Sequence, residues 1–188
     1  MRTSTMTDYA PSRMTARDFD QLPESNLPTE LIQGELIVSP APDDPHQLKS
    51  IFVLNFLLKI LPPEEIRHSP IDVYLDDDNV LQPDIMWVSK DNTRCVLVEG
   101  RRWHGAPDLV VEIFSPSTTK RDKTVKFELY QKHGVREYWM LDPIAEYVEA
   151  WGLQGDVFVK IGIFGPGETF VSPVLGGKPV AVGALFGK

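Results

Sequence analysis

The sequence predicts an α/β fold of the α+β kind, with a mixed β-sheet flanked by helices. Three observations support this prediction. The nearly continuous apolar run Pro107–Phe114 is typical of a strand that is covered on both faces. Apolar residues at spacings of three and four predict a long helix over Pro45–Leu61. Short alternating segments bounded by turn residues occupy much of the remaining chain, an order typical of helices layered on a sheet rather than a sandwich.

The N-terminal part predicts a short helix followed by a hairpin. Thr15 can cap a helix over Ala16–Leu22, and Pro23 ends it. The segment Thr29–Val38 then predicts two short strands around the turn residues Gln33-Gly34. We therefore expect extra N-terminal strands ahead of the main sheet.

The long helix is predicted to bury one apolar stripe. Asp43 or Asp44 can cap it, and Pro62-Pro63 ends it. Residues at helical spacing share one face, so we expect this face to pack on the sheet. The stripe comprises Leu48, Ile51, Leu54, Leu58 and Leu61, widened by Phe52 and Phe56.

The rest of the chain alternates strands and turns around one further helix. That helix is predicted over Lys120–His133 and ends at Gly134. The predicted strands are Ile66–Leu75, Val80–Ser89, Val96–Glu99, Pro107–Phe114, Val135–Leu141, Tyr147–Trp151, Val157–Ile163 and Val180–Leu185.

Length and charge limit the classes of protein to consider. The 188 residues suit one domain, which we expect over residues 15–188 after a flexible tail at 1–14. The net charge of −8 argues against broad non-specific binding to nucleic acid. Residues 94–136 nevertheless carry nine Lys/Arg and five Asp/Glu. This segment is either part of an uneven solvated surface or a positively charged working face.

The sequence also favours a cytoplasmic protein. It has no run of about 18 apolar residues, so we expect no transmembrane helix. The first ten residues lack the apolar core of a signal peptide. Cys95 is the only cysteine, which excludes an intrachain disulfide and suits a reducing compartment.

Glu112 is the first candidate for chemistry, because it interrupts the apolar strand. An ionised carboxylate buried without a partner would cost several kcal/mol. A basic side chain or a metal ion must therefore offset its charge. Glu112 is either a structural member of an ion pair or a metal-binding or acid–base carboxylate.

Asp84 and Lys126 are the next candidates. Asp84 follows Pro83 at the start of an apolar strand, which by itself is typical of a turn. Beside Glu112 on a neighbouring strand, it would repel the second carboxylate unless a divalent cation lay between them. Lys126 shares a helix face with Asp122 and Tyr130. This face is either an exposed ladder of salt bridges or one that brings Lys126 to Glu112, where its ammonium could orient a water molecule.

These residues belong to a longer ordered pattern. Ala106–Thr118 is followed by the helix face just described and by Gly134–Pro143. Further matches are Glu30–Leu36, Pro83-Asp84 and His46. His46 opens a helix, and taken by itself it is either an ordinary surface residue or a residue that reaches the site. The pattern strongly resembles a large bacterial family, plentiful in cyanobacteria, of putative restriction endonucleases in the PD-(D/E)xK nuclease superfamily. The resemblance covers about residues 15 to 186.

The resemblance implies a restriction-endonuclease-like core, extended by N- and C-terminal strands, with a site for Mg²⁺ or Mn²⁺. Asp84 and Glu112 match its two acidic positions, and the carbonyl of Ile113 and the carboxylate of Glu35 would assist them. The superfamily places a lysine two residues after the second acid, but this position is Phe114. In this family the lysine appears in the following helix, which makes Lys126 the candidate.

The implied activity is metal-dependent cleavage of nucleic acid, with DNA as the expected substrate. The supporting residues would be His46, Asp122 and Tyr130. The residues expected to meet the phosphate backbone are Arg101, Arg102, Lys120, Arg121 and Lys123. Cleavage of both strands of a duplex favours a homodimer.

Two other functions stay open on sequence grounds. The chain could be a catalytically weak or silent family member that binds nucleic acid or a protein, which the net charge of −8 and Phe114 favour. It could also be a different metal-dependent hydrolase.

Overall fold

The computed structural model describes residues 13–23, 25–115 and 119–188, and in this part the strands pair into two six-stranded sheets and one two-stranded sheet. The strands are β1 (Thr29–Ile32), β2 (Glu35–Val38), β3 (Ile66–His68), β4 (Val73–Asp76), β5 (Asn79–Leu81), β6 (Ile85–Trp87), β7 (Cys95–Val98), β8 (Arg102–Gly105), β9 (Leu109–Ile113), β10 (Glu137–Asp142), β11 (Tyr147–Gln154), β12 (Val157–Phe164), β13 (Thr169–Ser172) and β14 (Lys178–Ala181). Of the predicted tail, 1–12 lie outside the described residues, as do 116–118 of the family pattern.

Five α-helices and two other helical turns accompany these strands in the described part of the chain. The α-helices are α1 (Ala16–Phe19), α2 (Asp44–Leu58), α3 (Thr119–Arg121), α4 (Phe127–His133) and α5 (Val182–Leu185). A π-helical turn, Asp122–Lys126, joins α3 to α4, and a 3₁₀ turn, Pro63–Glu65, precedes β3. The predicted helix over 120–133 is therefore present as one helical segment that is widened in its middle.

The central sheet has the order β12-β11-β10-β9-β6-β3. Strand β10 runs parallel to β9, and the other neighbouring pairs are antiparallel. The outer sheet has the order β2-β1-β5-β4-β8-β7, and β13 pairs with β14 alone. This mixed architecture with helices against it confirms the predicted fold class.

Strand β9 is buried at all five positions because both of its faces are covered. Val111 belongs to a core cluster that includes Val53 and Leu57 of α2. Val110 belongs to the cluster on the opposite face, which α4 and the outer sheet complete. Side chains alternate along a strand, so Glu112 shares the face of Val110. It therefore lies between the central sheet and the layer formed by α4 and the outer sheet.

Helix α2 buries only part of the predicted face: Leu54, Phe56 and Leu61 pack against the core, but the other leucines and the isoleucine of the stripe do not. Asp43 caps the helix by accepting a hydrogen bond from the His46 N–H at 3.0 Å. The helix buries Val53 and Leu57. Leu48, Ile51 and Leu58 of the predicted stripe are instead 43, 54 and 40% exposed. The sequence carries apolar residues on both faces of this helix, so periodicity alone could not decide which face would meet the sheet.

Several predicted strands divide between the sheets. The predicted strand Ile66–Leu75 becomes β3 and β4, which belong to different sheets, and Val80–Ser89 becomes β5 and β6 in the same way. Pro83 stands at the second division and cannot donate a ladder hydrogen bond. The last predicted strand, Val180–Leu185, ends at Ala181 and continues as α5. Strand β8, which completes the outer sheet, had no sequence signal of its own.

No helix in the described ranges combines the length and apolar character that a membrane span requires.

Candidate metal and catalytic site

A cavity of about 280 Å³ opens where the hairpin β1–β2, the start of α2, the end of β9 and the helical segment 119–133 meet. Among the described residues, its lining combines five carboxylates with two permanent cations. These are Glu30, Asp43, Asp84, Glu112, Asp122, Arg121 and Lys126. The predicted residues Asp84, Glu112 and Lys126 are therefore brought together, although they come from three separate parts of the chain.

Glu112 lies on β9 and is only 4% exposed. Its Oε1 accepts a hydrogen bond from Lys126 Nζ at 3.0 Å and another from the Tyr130 hydroxyl at 2.8 Å. The fully buried phenol of Tyr130 holds this oxygen from the α4 side. Two strong donors thus orient the carboxylate and partly offset its desolvation.

Lys126 lies in the π-helical turn and is 3% exposed. Its Nζ is 2.8 Å from Glu30 Oε1, 3.0 Å from Glu112 Oε1 and 3.6 Å from Asp122 Oδ1. Wide helical turns of this kind are frequent at functional sites. Here the turn buries both Asp122 and Lys126 on the side that faces the cavity.

The carboxylates of the cavity raise the pKa of both Glu112 and Lys126. Burial raises the pKa of Glu112 well above its ordinary value, and Asp122, Asp84 and Glu30 add to the rise while Lys126 opposes it. Burial alone would lower the pKa of Lys126, but Glu112, Glu30 and Asp122 outweigh it and raise that pKa. One ammonium therefore stays charged among more carboxylates than it can balance.

Asp84 lies immediately before β6, on the neighbour of β9 in the central sheet. Its Oδ2 accepts a hydrogen bond from the backbone N–H of Ile113 at 2.7 Å and lies 3.1 Å from Nε2 of His46. Burial lowers the pKa of His46, but the hydrogen bond and charge of Asp84 outweigh this effect, so the net pKa is raised. His46 therefore holds Asp84 from the start of α2.

The structure does not bring Glu35 to the cavity, whereas Glu30 of the same hairpin lines it. Glu35 is exposed next to the hairpin turn, where it pairs with Ile32. The cavity instead includes Pro28, Glu30 and Ser39, which lie at the open end of the same hairpin. Glu30 is 4% exposed and also accepts a hydrogen bond from the Gln82 N–H at 2.9 Å.

Sequence reasoning missed Glu30, although a signal for it existed. Like Glu112, it is a carboxylate within a short apolar strand, Thr29–Ile32. An acidic residue at such a position needs a buried partner if the strand is covered. The resemblance pointed to Glu35, although Glu30 lies in the same matched segment, Glu30–Leu36.

Only some of the predicted basic residues lie at this cavity. Arg121 lines it, with Nη2 donating to Ser39 Oγ at 2.9 Å and lying 3.7 Å from Glu30 Oε2. Lys120 is exposed on α3. Lys123 is partly exposed, and its Nζ donates to the Tyr147 hydroxyl at 3.1 Å.

Arg101 and Arg102 line a second cleft, of about 620 Å³, rather than the carboxylate cavity. Arg102 Nη2 lies 3.0 Å from Asp20 Oδ1, so its charge is already paired. Gln82 lines both cavities. The two arginines lie at the start of β8, which belongs to the outer sheet. The other basic residues lie on the helical segment 119–133, so the two groups are separated.

The donor set fits a hard divalent cation. Carboxylate and carbonyl oxygens are the ligands that Mg²⁺ prefers, and Mg²⁺ commonly binds through only one or two carboxylates with water completing its shell. Within the described residues, no three His, Cys, Asp or Glu side chains are grouped closely enough to hold a metal ion. This finding leaves room for a site with fewer side-chain ligands, and Asp84, Glu112 and Ile113 all line the same cavity.

The chain resembles known proteins over nearly its whole length. The family model Uma2, described as putative restriction endonuclease, matches residues 16–181. The chain belongs to this family. A search of curated proteins finds no match.

One solved structure has a similar fold. It is the crystal structure of a putative nuclease belonging to DUF820 from Anabaena variabilis ATCC 29413. The TM-score is 0.76 at 22% sequence identity, over 93% of this chain and 98% of that chain. The likeness shows that this Uma2 chain shares the fold of that protein.

Proposed function

We propose that this protein is a metal-dependent nuclease that hydrolyses phosphodiester bonds, with DNA as its substrate. The observation that carries the proposal is the convergence of Asp84, Glu112 and Lys126 in one cavity. The family description and the nuclease-like fold support the same class of activity. Fold alone does not establish a reaction, so the argument depends on what these side chains can do.

Asp84 and Glu112, with the carbonyl of Ile113, would hold Mg²⁺ or Mn²⁺. A bound divalent cation would supply Lewis-acid polarisation of the phosphate and lower the pKa of a water molecule. The chain's own contribution is to orient the two carboxylates. The N–H of Ile113 and the ring of His46 hold Asp84, while Lys126 and Tyr130 hold Glu112.

Lys126 would orient the attacking water and stabilise the negative charge that develops on the phosphate. The surrounding carboxylates raise its pKa, so it stays protonated and acts as a fixed donor rather than as a base. In hydrolysis the water oxygen bonds to phosphorus, one P–O ester bond breaks, and the leaving oxygen takes up a proton in place of the one that the water loses to solvent.

Phe114 at the usual lysine position is compatible with this role. Its ring is 2% exposed and packs in the core, so the strand itself offers no cation there. Lys126 reaches Glu112 Oε1 at 3.0 Å from the helical segment that follows. The displaced lysine therefore serves the same carboxylate from a different element.

Basic residues next to the cavity would contact the nucleic-acid backbone. Arg121 lies on the cavity wall, and Lys120 and Lys123 lie on either side of it in the same helical segment. Arg101 and Arg102 would contact a strand only where it passes the second cleft, beyond Gln82. Because phosphate contacts carry no sequence information, these residues would position the substrate rather than select bases.

A cleavage assay tests the proposal directly. Purified protein is offered plasmid, linear duplex, single-stranded DNA and RNA, each with Mg²⁺, with Mn²⁺ and with chelator. We expect cleavage of DNA that requires the metal and is lost in Asp84→Asn. Cleavage that survives this substitution, or none with any substrate, would favour a binding role for the fold.

The hairpin β1–β2 offers two matched variants that test whether Glu30 belongs to the site. Glu30→Gln is expected to lower the cleavage rate by about 10–100-fold, because the Glu30 carboxylate binds Lys126 Nζ at 2.8 Å and positions it. Glu35→Gln makes the same chemical change five residues away on an exposed strand and should leave the rate unchanged. Thermal unfolding checks that both variants are folded. Equal rates for the two variants would exclude Glu30 from the site.

A further inference from the structure

We propose that the second cleft binds one unpaired nucleobase of the strand that is cut, which makes single-stranded or locally unpaired DNA the substrate. This proposal rests on the proposed function and adds to it the form of the nucleic acid. The carboxylate cavity would hold the metal and a phosphate, and the second cleft would hold the base of a neighbouring nucleotide.

The second cleft has the size and the apolar walls of a pocket for a flat ring. Its volume is about 620 Å³, within the range of small-molecule sites. Leu27, Leu36 and Val38 remain exposed there although they are apolar. Bases that leave the stack are held between aromatic and apolar side chains of this kind. The apolar part of the described lining comprises Phe19, Leu22, Pro23, Leu27, Leu36 and Val38.

The polar groups of the second cleft match a neutral base rather than a phosphate. The charged residues of its described lining are two acids and two bases, so their formal charges cancel; they are Asp20, Asp72, Arg101 and Arg102. Arg102 Nη2 lies 3.0 Å from Asp20 Oδ1, so these two charges satisfy each other. Asp72 Oδ1 accepts a hydrogen bond from Gln82 Nε2 at 2.7 Å. Because a carboxylate can accept several hydrogen bonds, Asp72 can also accept one from an N–H group on the edge of a base.

Gln82 joins the second cleft to the carboxylate cavity, since it lines both. Its side chain binds Asp72, and its backbone N–H donates at 2.9 Å to Glu30 Oε1, the oxygen that lies 2.8 Å from Lys126 Nζ. The start of β1 divides the two spaces in the same way, because Thr29 lines the second cleft and Glu30 lines the cavity. A strand with one phosphate in the cavity can therefore place a neighbouring base in the cleft.

This arrangement favours unpaired DNA. A base of a duplex must be unstacked and unpaired before it enters such a pocket, whereas a base of a single strand enters at lower cost. Arg101 is exposed at the cleft and would contact the phosphate of the same nucleotide. One base held by stacking and apolar contact corresponds to about 5–150-fold in affinity.

Fluorescence anisotropy with two labelled single strands of equal length tests the proposal. One is oligothymidylate, and the other has the same sugar–phosphate backbone without bases. The full chain is titrated with each strand in Ca²⁺, and gel electrophoresis checks that the strands stay intact. We expect oligothymidylate to bind about 5–150-fold more tightly than the baseless strand.

Two valines of nearly equal exposure locate the effect. Val38 lines the second cleft and is 55% exposed, whereas Val171 on β13 lines neither space and is 56% exposed. Val38→Glu should abolish the difference between the two strands, and Val171→Glu should preserve it. Repulsion of phosphates cancels in this comparison, because both strands carry the same backbone. Circular dichroism checks that both variants are folded.

The outcomes separate this proposal from the proposed function. Metal-dependent cleavage by a protein that binds the two strands equally, or whose preference survives Val38→Glu, would overturn the base site and leave the nuclease standing. A preference for oligothymidylate that Val38→Glu removes, without cleavage in any metal, would support the base site and overturn the nuclease. Failure to bind either strand would overturn both.

Discussion

Replacing Glu112 with glutamine is expected to lower metal-dependent cleavage by at least about 10²–10³-fold. Glutamine keeps the shape of the side chain but removes the negative charge that would attract the cation. Metal binding should weaken in parallel, which calorimetric titration with Mg²⁺ or Mn²⁺ measures without any substrate. Cleavage by Glu112→Gln at the rate of the unchanged protein would contradict both the site and the proposed function.

Glu137→Gln is the matched control for this substitution. Glu137 is fully buried on β10, next to β9, and its carboxylate accepts hydrogen bonds from Trp139 Nε1 at 2.7 Å and from the Val174 N–H at 3.0 Å. It does not line the carboxylate cavity. This variant should lose stability but keep its metal affinity and cleavage, so the pair separates a catalytic defect from a folding defect.

The same Glu112 variant has an expected pH dependence. The pKa of Glu112 is raised in the folded state, so its contribution to stability is present at low pH and is lost as the pH rises above the ordinary value of 4.5. Glutamine removes this dependence. In chelator, the unfolding free energy of the unchanged protein should therefore fall relative to Glu112→Gln between about pH 5 and pH 8. A difference that is constant across this range would contradict the surplus of negative charge.

Replacing Lys126 with methionine is expected to destabilise the protein by about 3–5 kcal/mol at neutral pH in chelator. Methionine has a similar volume but leaves Glu30, Glu112 and Asp122 without the ammonium that lies among them. Denaturant unfolding measures the loss. The loss should be smaller at pH 5 than at pH 8, because the carboxyl groups then take up protons. Mg²⁺ should restore part of the stability, since a cation replaces the missing charge.

Lys132→Met is the control for this effect. Lys132 is a surface lysine of α4 whose side chain is 67% exposed and lies 3.5 Å from Asp76 Oδ2. Exposed ion pairs contribute about 0–1 kcal/mol, so this variant should be close to the unchanged protein. If Lys126→Met were as stable as Lys132→Met, the buried ammonium would not be what compensates the carboxylates.

Much of the site could be inferred from residue types in their local context. Glu112 drew attention because a carboxylate interrupts an apolar strand, and the structure shows the buried cation partner that this position requires. Lys126 and Tyr130 share a helix face by spacing alone, and both reach the same oxygen of Glu112. Glu30 and Glu35 could not be separated in this way. Both are acidic residues of one hairpin, and only the packing of its open end on the cavity distinguishes them.

The local sequence pattern therefore predicted the helices and strands, and tertiary contacts determined which of their faces are buried and which strands pair. Periodicity predicted α2 and its apolar residues, but this helix has two apolar faces, and the contact between His46 and Asp84 helps to set which one is buried. The sequence predicted a single strand, Val80–Ser89, through Pro83. In the structure its two halves lie in different sheets, because β6 pairs with β9 and β5 pairs with β1. Spacing along a chain determines which side chains share a face, whereas the partner of that face comes from residues distant in sequence.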